Sequence, residues 1–182
     1  MDFLCLDFVN SRWSVTHKPF EDPLKDRTWL TKFWSRWGLP ETKISPAEVE
    51  ELLRFREFLY RVLIKLCAEQ TISPSDLEHL NGILASRKSQ KILVQQDSRY
   101  CLQTIQQSDD RTWIVYPFAL SFAELISAHP LQYLKKCENP ACDWIFYDDS
   151  KGHNRKWCDD KCASLMRVRK YRAGVRTQSQ CP

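Results

Sequence analysis

Four cysteines near the C-terminal end constrain this 182-residue chain more than any other feature of its sequence. They form two pairs, Cys137 with Cys142 and Cys158 with Cys162, separated by fifteen residues. Zn²⁺ takes four soft donors at the corners of a tetrahedron, and two short-spaced cysteine pairs can supply them from two sides. Four thiolates leave no open coordination position, so we predict one structural Zn²⁺ rather than a catalytic one.

Two other interpretations of these cysteines stay open from the sequence. They are free thiols or disulfides, or His153 replaces one of them as a ligand. A disulfide scaffold would usually be shorter and more uniformly rich in cysteine. Of the other cysteines, we expect Cys5, Cys67 and Cys101 to be small buried apolar side chains and Cys181 to be a terminal thiol.

The segment around the cysteines predicts a small metal-bound module. A hairpin is expected between the two pairs, with residues 144–147 and 155–157 as its strands. Leu165 and Val168 then follow Cys162 at helical spacing. A knuckle, a hairpin and a helix together describe a treble-clef-like zinc finger. Structural zinc contributes about 10–16 kcal/mol, which explains how so small a core can be ordered.

The remainder of the chain predicts a fold that is mostly α with a small β element. The apolar pattern of residues 2–11 has no clean period and predicts no definite element. Helices are expected over 28–37, from the capping box at Ser45 to about Glu69, from Ser73 to about 84, and over 117–127. Two strands are expected at 92–94 and 100–105. Residues 113–116 either extend this sheet or lead into the next helix.

Charge separates a mildly acidic body from a strongly basic C-terminal segment. Residues 151–176 contain nine Lys and Arg against two Asp. A basic helix presented by a zinc core can enter a major groove or lie along phosphates. The alternatives are a solvated basic face or a surface for an acidic protein. The candidate nucleic-acid contacts are Lys151, Arg155, Lys156, Arg167, Arg169, Lys170, Arg172 and Arg176.

Several function classes receive no support from the sequence. It contains no glycine-rich phosphate loop and no nucleophile motif, so we expect no enzyme. It also contains no apolar run near the ~20 residues needed to span a bilayer, and its acidic start makes a poor signal peptide, so we expect a cytoplasmic protein. Asp7 and Asn10 are expected to cap a helix or to lie on its surface or, alternatively, to line a pocket. Aromatic side chains between helices could accept a small apolar effector.

The residues in the finger resemble a known family. Cys137-Glu-Asn-Pro-Ala-Cys142, Phe146-Tyr-Asp148-Asp-Ser150-Lys, Arg155-Lys-Trp157-Cys158, and Cys162 with its basic helix are similar to the CGNR-type zinc finger. The opening Leu6-Asp7-Phe8-Val9-Asn10-Ser11 resembles the LDFxNT start of the ABATE domain that precedes that finger. Together the two resemblances cover nearly the whole chain.

This resemblance implies a bacterial, stress-linked transcription regulator. Residues 1–130 would then form a sensory or dimerising domain, residues 131–176 a DNA-binding finger, and residues 177–182 a tail. One departure concerns recognition, because Ala163-Ser164-Leu165 follows Cys162 where the family has Gly-Asn-Arg. The zinc ligand is kept. Nucleic-acid recognition is expected to be weaker or altered, with Arg167 and Arg169 available to compensate.

Overall fold

The computed structural model describes residues 2–12, 21–40, 43–96, 99–108 and 111–178. Among these residues are six α-helices: α1 (Leu4–Asn10), α2 (Arg27–Arg36), α3 (Pro46–Glu69), α4 (Pro74–Ala85), α5 (Tyr116–Ala128) and α6 (Asp160–Gln178). Two antiparallel hairpins pair β1 (Arg87–Gln96) with β2 (Arg99–Ser108), and β3 (Leu134–Lys136) with β4 (Ile145–Tyr147). The predicted fold class is confirmed. No helix in the described ranges is long and apolar enough to cross a membrane.

Local capping signals determine where the long helices begin. The Ser45 hydroxyl accepts a hydrogen bond from the Glu48 N–H at 3.3 Å, and the Glu48 carboxylate accepts one from the Ser45 N–H at 2.7 Å. This is the predicted capping box, which satisfies two N–H groups that have no partner inside the helix. At α2 the Asp26 carboxylate accepts from the Thr28 N–H, and at α4 the Ser73 hydroxyl accepts from the Asp76 N–H, so each caps its helix without the reciprocal bond. The four predicted helices of the body are confirmed as α2, α3, α4 and α5, of which α5 begins without a side-chain cap.

The main core forms where α1 packs against α3 and α5. The Phe8 ring stacks on Phe118 with 3.9 Å between ring centroids, and both side chains are fully buried. Trp34 is also buried and meets Phe118 edge to face. The apolar opening segment, which has no clear period, is thus a helix at the centre of the protein. Its period is obscured because the helix is buried on several sides.

The β1–β2 hairpin is longer than the sequence predicts. Each strand has ten residues in an unbroken register, from Arg87 opposite Ser108 to Gln96 opposite Arg99. Residues 97 and 98 of the predicted turn lie outside the described ranges. The prediction that Cys101 is buried was wrong, because its side chain is exposed on this hairpin. Residues 111–114 form a 3-10 turn that leads into α5 instead of extending the sheet.

The second hairpin differs from the predicted one. Strand β4 pairs with β3, so that Leu134 lies opposite Tyr147 and Lys136 opposite Ile145. Residues 155–157, the predicted partner strand, have no strand conformation. The backbone contact of this segment is a hydrogen bond from the Glu138 N–H to the Lys156 carbonyl at 2.9 Å. Strand β3, which precedes Cys137, therefore pairs with β4 in place of residues 155–157.

Alternate residues of β4 belong to two different cores. Ile145 and Tyr147 lie in the main core together with Leu134 of β3. Phe146 lies in a second small core with Cys137 and Cys142. Successive side chains of a strand point to opposite faces, so three residues suffice to join the helical body to the cysteine module.

Candidate metal centre and nucleic-acid interface

Each of the four cysteines is placed by a different backbone element. Cys137 follows β3, and its N–H donates to the Trp144 carbonyl at 2.9 Å. Cys142 closes a tight turn in which its N–H donates to the Asn139 carbonyl at 2.8 Å. Cys158 precedes α6, and Cys162 lies in the first turn of that helix. The Asp159 carboxylate accepts from the Cys162 N–H at 2.8 Å and so caps the start of α6.

The four sulfur atoms converge on one point. All of them lie within 4.8 Å of one another, and Cys142 Sγ is 3.8 Å from Cys158 Sγ. A disulfide would bring two sulfurs to about 2.0 Å. A tetrahedral ion with Zn–S bonds of about 2.3 Å would separate its sulfurs by roughly 3.8 Å. The spacing fits a tetrathiolate zinc site and excludes disulfides within the cluster.

The electrostatics of the cluster disfavour four thiolates without a cation. Burial, together with the charge on Cys137, raises the pKa of Cys142 to about 12. Burial and the charges of Cys137 and Cys142 raise the pKa of Cys158 even more. Four thiols this close can all ionise only when a divalent ion compensates their charge. Cys137, Cys142, Cys158 and Cys162 are thus positioned to bind one metal ion.

His153 contacts Tyr133 and Asp148 and is not part of the cysteine cluster. Its ring stacks on Tyr133 with 3.7 Å between centroids, and its Nδ1 lies 2.8 Å from the Asp148 carbonyl oxygen. The backbone at His153 has a φ of 46°, in the left-handed region. This unusual conformation is part of the loop that the ring anchors.

Asn139 joins the metal cluster to helix α6. It is 4% exposed, and its Nδ2 donates to Cys162 Sγ at 3.2 Å. Its Oδ1 accepts from Arg169 Nη1 at 3.3 Å and from the Ala141 N–H at 3.2 Å. Hydrogen bonds to metal-bound thiolates orient the ligands and tune the site. This role was not predicted from the sequence, although the position of Asn139 between Cys137 and Cys142 was an available signal.

A buried carboxylate organises the loop between β4 and Cys158. Asp148 is fully buried, and it accepts from Lys135 Nζ at 2.7 Å, Ser150 Oγ at 2.6 Å and the Arg155 N–H at 2.9 Å. Burial by itself raises the pKa of Asp148, but these hydrogen bonds outweigh it and hold the pKa well below its usual range. Asp148 therefore stays charged and fixes the loop that carries Lys151.

The predicted nucleic-acid contacts fall into two groups. Most are exposed on the loop or on α6: Lys151, Lys156, Arg167, Lys170 and Arg172. Arg155 is half-buried, and its guanidinium donates to the Cys158 carbonyl at 2.6 Å and lies over the Phe146 ring. Arg169 is exposed but turned toward Asn139. For Arg176 the structure describes the helix backbone and not the side chain. Arg155 and Arg169 thus also support the module.

Helix α6 also exposes large apolar side chains. Leu165 is 42% exposed, Val168 46% and Tyr171 74%. They follow one another at intervals of three residues, which places them along one side of the helix. The helix that this spacing predicted is present, but its apolar side chains are exposed and not buried.

Asn10 ties the body to the finger. Its Nδ2 donates to the Ile145 carbonyl at 2.8 Å, and its Oδ1 accepts from the Ile145 N–H at 2.9 Å. Both bonds are buried and join residues 135 positions apart. Asp7, the other polar residue of this segment, accepts from Trp37 Nε1 and pairs with Arg36 at 3.2 Å. Asn10 is therefore a tether for β4, a role that the sequence did not reveal.

Two family models match this chain in the expected order. The model "ABATE: Putative stress-induced transcription regulator" matches residues 2–129, and the CGNR zinc finger model matches residues 133–174. These are regulatory and zinc-finger families rather than enzyme families. The CGNR match and the clustered thiols together identify the metal as one structural Zn²⁺ held by the four cysteines. No protein of curated function matches the chain. The chain belongs to the ABATE family and carries a CGNR zinc finger at its C-terminal end.

Proposed function

We propose that this protein is a transcription regulator that binds duplex DNA through its zinc finger. The observation that carries the proposal is the exposed basic surface on α6 and the preceding loop, formed by Lys151, Lys156, Arg167, Lys170 and Arg172. The zinc site orients this helix, and Asn139 links the helix to the site. Phosphate contacts from such side chains supply most of the affinity of a DNA-binding module.

The base-reading part of the helix is expected to differ from that of relatives. Ser164 and Leu165 are exposed where the family pattern has Asn and Arg. An arginine at such a position can pair with guanine, whereas an apolar side chain contacts only the methyl group of thymine. We therefore expect weaker or altered sequence preference together with strong electrostatic binding.

Fluorescence anisotropy with labelled duplex DNA across a salt series tests this function. The double variant Arg167→Gln/Arg172→Gln should bind more weakly, and the salt slope should fall by about 0.9 for each phosphate that the variant no longer neutralises. The matched control Lys32→Gln/Lys65→Gln removes two exposed charges from the body and should bind as the wild type does. Absence of binding at low salt, or equal effects of the two variants, would refute the proposal. Selection of duplexes from a random pool then separates specific from electrostatic binding.

One observation favours a second candidate, a protein-interaction module without a nucleic-acid role. Leu165, Val168 and Tyr171 expose apolar surface on a helix that is otherwise charged. Exposed apolar rows often mark protein contacts. On this alternative, Leu165→Ser/Val168→Ser would abolish a protein complex, and the wild-type protein would not bind duplex DNA even at low salt.

The body is proposed to sense an effector or to form a homodimer. We place this domain at residues 1–130, the finger at 131–176 and a short tail at 177–182, in the cytoplasm of a bacterial cell. The extended aromatic core and the tether to β4 support a body that influences the finger. Sedimentation equilibrium of the zinc-bound protein tests dimerisation, and a mass of one chain at micromolar concentration would refute it.

A further inference from the structure

A cavity of about 400 Å³ lies where α1, the end of α2 and the start of α5 meet. Its volume is within the range of pockets that hold small organic ligands. Three aromatic side chains contribute to its wall, those of Phe3, Trp37 and Tyr116. Leu39 and Leu120 add apolar surface, and Leu120 is 37% exposed. The cavity is separate from the zinc centre, and none of the functions described above uses it.

The charge on the wall selects the kind of ligand. Asp2 and Glu124 line the cavity, and none of its described lining residues is Lys, Arg or His. The Arg36 guanidinium lies 3.2 Å from Asp7 and 3.9 Å from Asp2, so two carboxylates share it, and it is also 5.8 Å from the centroid of the Trp37 ring. The Glu124 carboxylate has no ion pair among the described residues. Aromatic faces beside carboxylates attract an organic cation and repel an anion.

We propose that this cavity binds a small organic cation with an apolar or aromatic body, such as a substituted ammonium ion. Its apolar part packs between Trp37, Tyr116 and Leu120, and its charge lies toward the Glu124 carboxylate. Whereas the sequence suggested an apolar effector, the carboxylates on the wall specify a charged one.

The cavity is connected to the finger through α1. The Phe3 ring on its wall also meets Tyr147 of β4 edge to face, with 5.6 Å between centroids. At the other end of α1, Asn10 holds Ile145 of the same strand. A ligand that packs against Phe3 therefore stabilises one arrangement of β4, and Phe146 extends that strand into the zinc core. The regulatory meaning of this connection rests on the proposed function, whereas ligand binding does not.

Isothermal titration of the full-length, zinc-bound protein tests the site with three compounds that share a benzene ring. Benzyltrimethylammonium should bind most tightly, benzyl alcohol more weakly and benzenesulfonate not at all. Glu124→Gln should weaken binding of the cation about three- to tenfold and leave binding of the alcohol unchanged. The control Glu78→Gln removes an exposed carboxylate from α4 and should change neither. Lack of saturable cation binding, binding of the anion equal to that of the cation, or equal effects of the two variants would overturn the proposal.

Hydrogen exchange tests the connection without reference to DNA. The bound cation should slow exchange of the Phe146 and Tyr147 amides at least threefold, and Phe3→Ala should remove this effect. Unchanged exchange in β4 with a saturated site would overturn the connection. If the cation binds and slows exchange while duplex DNA never binds, the proposed DNA function fails and the ligand site stands.

Discussion

Replacement of Asn10 is the sharpest test of how the body and the finger are joined. Asn10→Ala removes two buried hydrogen bonds, to the N–H and to the carbonyl of Ile145. Ile145 is fully buried, so water does not readily replace the missing partner. A buried polar group left without a partner costs about 1–3 kcal/mol. With two such groups, we expect the free energy of unfolding to fall by about 2–6 kcal/mol.

Urea denaturation of the zinc-bound protein measures this loss directly. For a protein of this length each kcal/mol lowers the melting temperature by about 2–4 °C, so the same change lowers it by about 4–24 °C. Hydrogen exchange adds local information, because the Ile145 amide should lose protection. Asn81→Ala, at an exposed position of α4, is the matched control and should change the free energy of unfolding by less than 0.5 kcal/mol, about the usual limit for a surface change.

A second substitution separates the hydrogen bonds from the shape of the side chain. Asn10→Asp retains the size and the acceptor for the Ile145 N–H, but it turns a carboxylate oxygen toward the Ile145 carbonyl. Burial and this repulsion raise the pKa of the new carboxyl, so the variant should be least stable at neutral pH and recover part of the loss as acidification returns a donor. A loss below about 1 kcal/mol in Asn10→Ala, with Ile145 still protected, would show that the tether does not hold β4.

Three further predictions concern the finger. A strong zinc chelator should remove helical signal by up to the 19 residues of α6 while the body stays folded; unchanged far-ultraviolet circular dichroism would contradict this. Restoring the family pattern with Ala163→Gly/Ser164→Asn/Leu165→Arg should tighten binding severalfold to duplexes that contain guanine compared with duplexes of A·T pairs alone, as measured by anisotropy. Asp148→Asn should cost about 1.5–3 kcal/mol above pH 4. Because the folded-state pKa of Asp148 is lowered, its charged-state stabilisation is lost as pH falls below the usual carboxyl pKa, so wild type and variant should converge in acid-denaturation curves.

The parts of the structure that the sequence predicted are those specified by nearby residues. The capping box of Ser45 and Glu48 acts over three residues, and the pairs of cysteines act over four or five. Such signals depend little on the rest of the fold. Helix α1 was not predicted, because burial on several sides removes the apolar period that marks a surface helix.

Long-range contacts explain what could not be predicted. The pairing of β4 with β3 rather than with residues 155–157 depends on Leu134, Ile145 and Tyr147 entering a core built by distant helices. Asn10 and Ile145 are 135 positions apart, and no local pattern relates them. Sequence reasoning identified the zinc ligands from spacing, but it could not identify the polar residues that attach the zinc module to the body.

Through these contacts the body positions the β3–β4 hairpin, the hairpin positions the zinc centre, and the zinc centre positions α6. The position of the zinc centre depends on β3 and β4, because Cys137 follows β3 directly and Phe146 reaches into the cysteine core. The direction of α6 depends on that centre through Cys162 and through the bonds of Asn139 to Cys162 and Arg169. A change in the body can therefore affect the basic helix only if it moves the β3–β4 hairpin. Loss of zinc, by contrast, releases the helix without disturbing α1, α3 and α5. Loss of metal and loss of the Asn10 tether should consequently differ, the first affecting the cysteine module and α6 and the second lowering the stability of the whole chain.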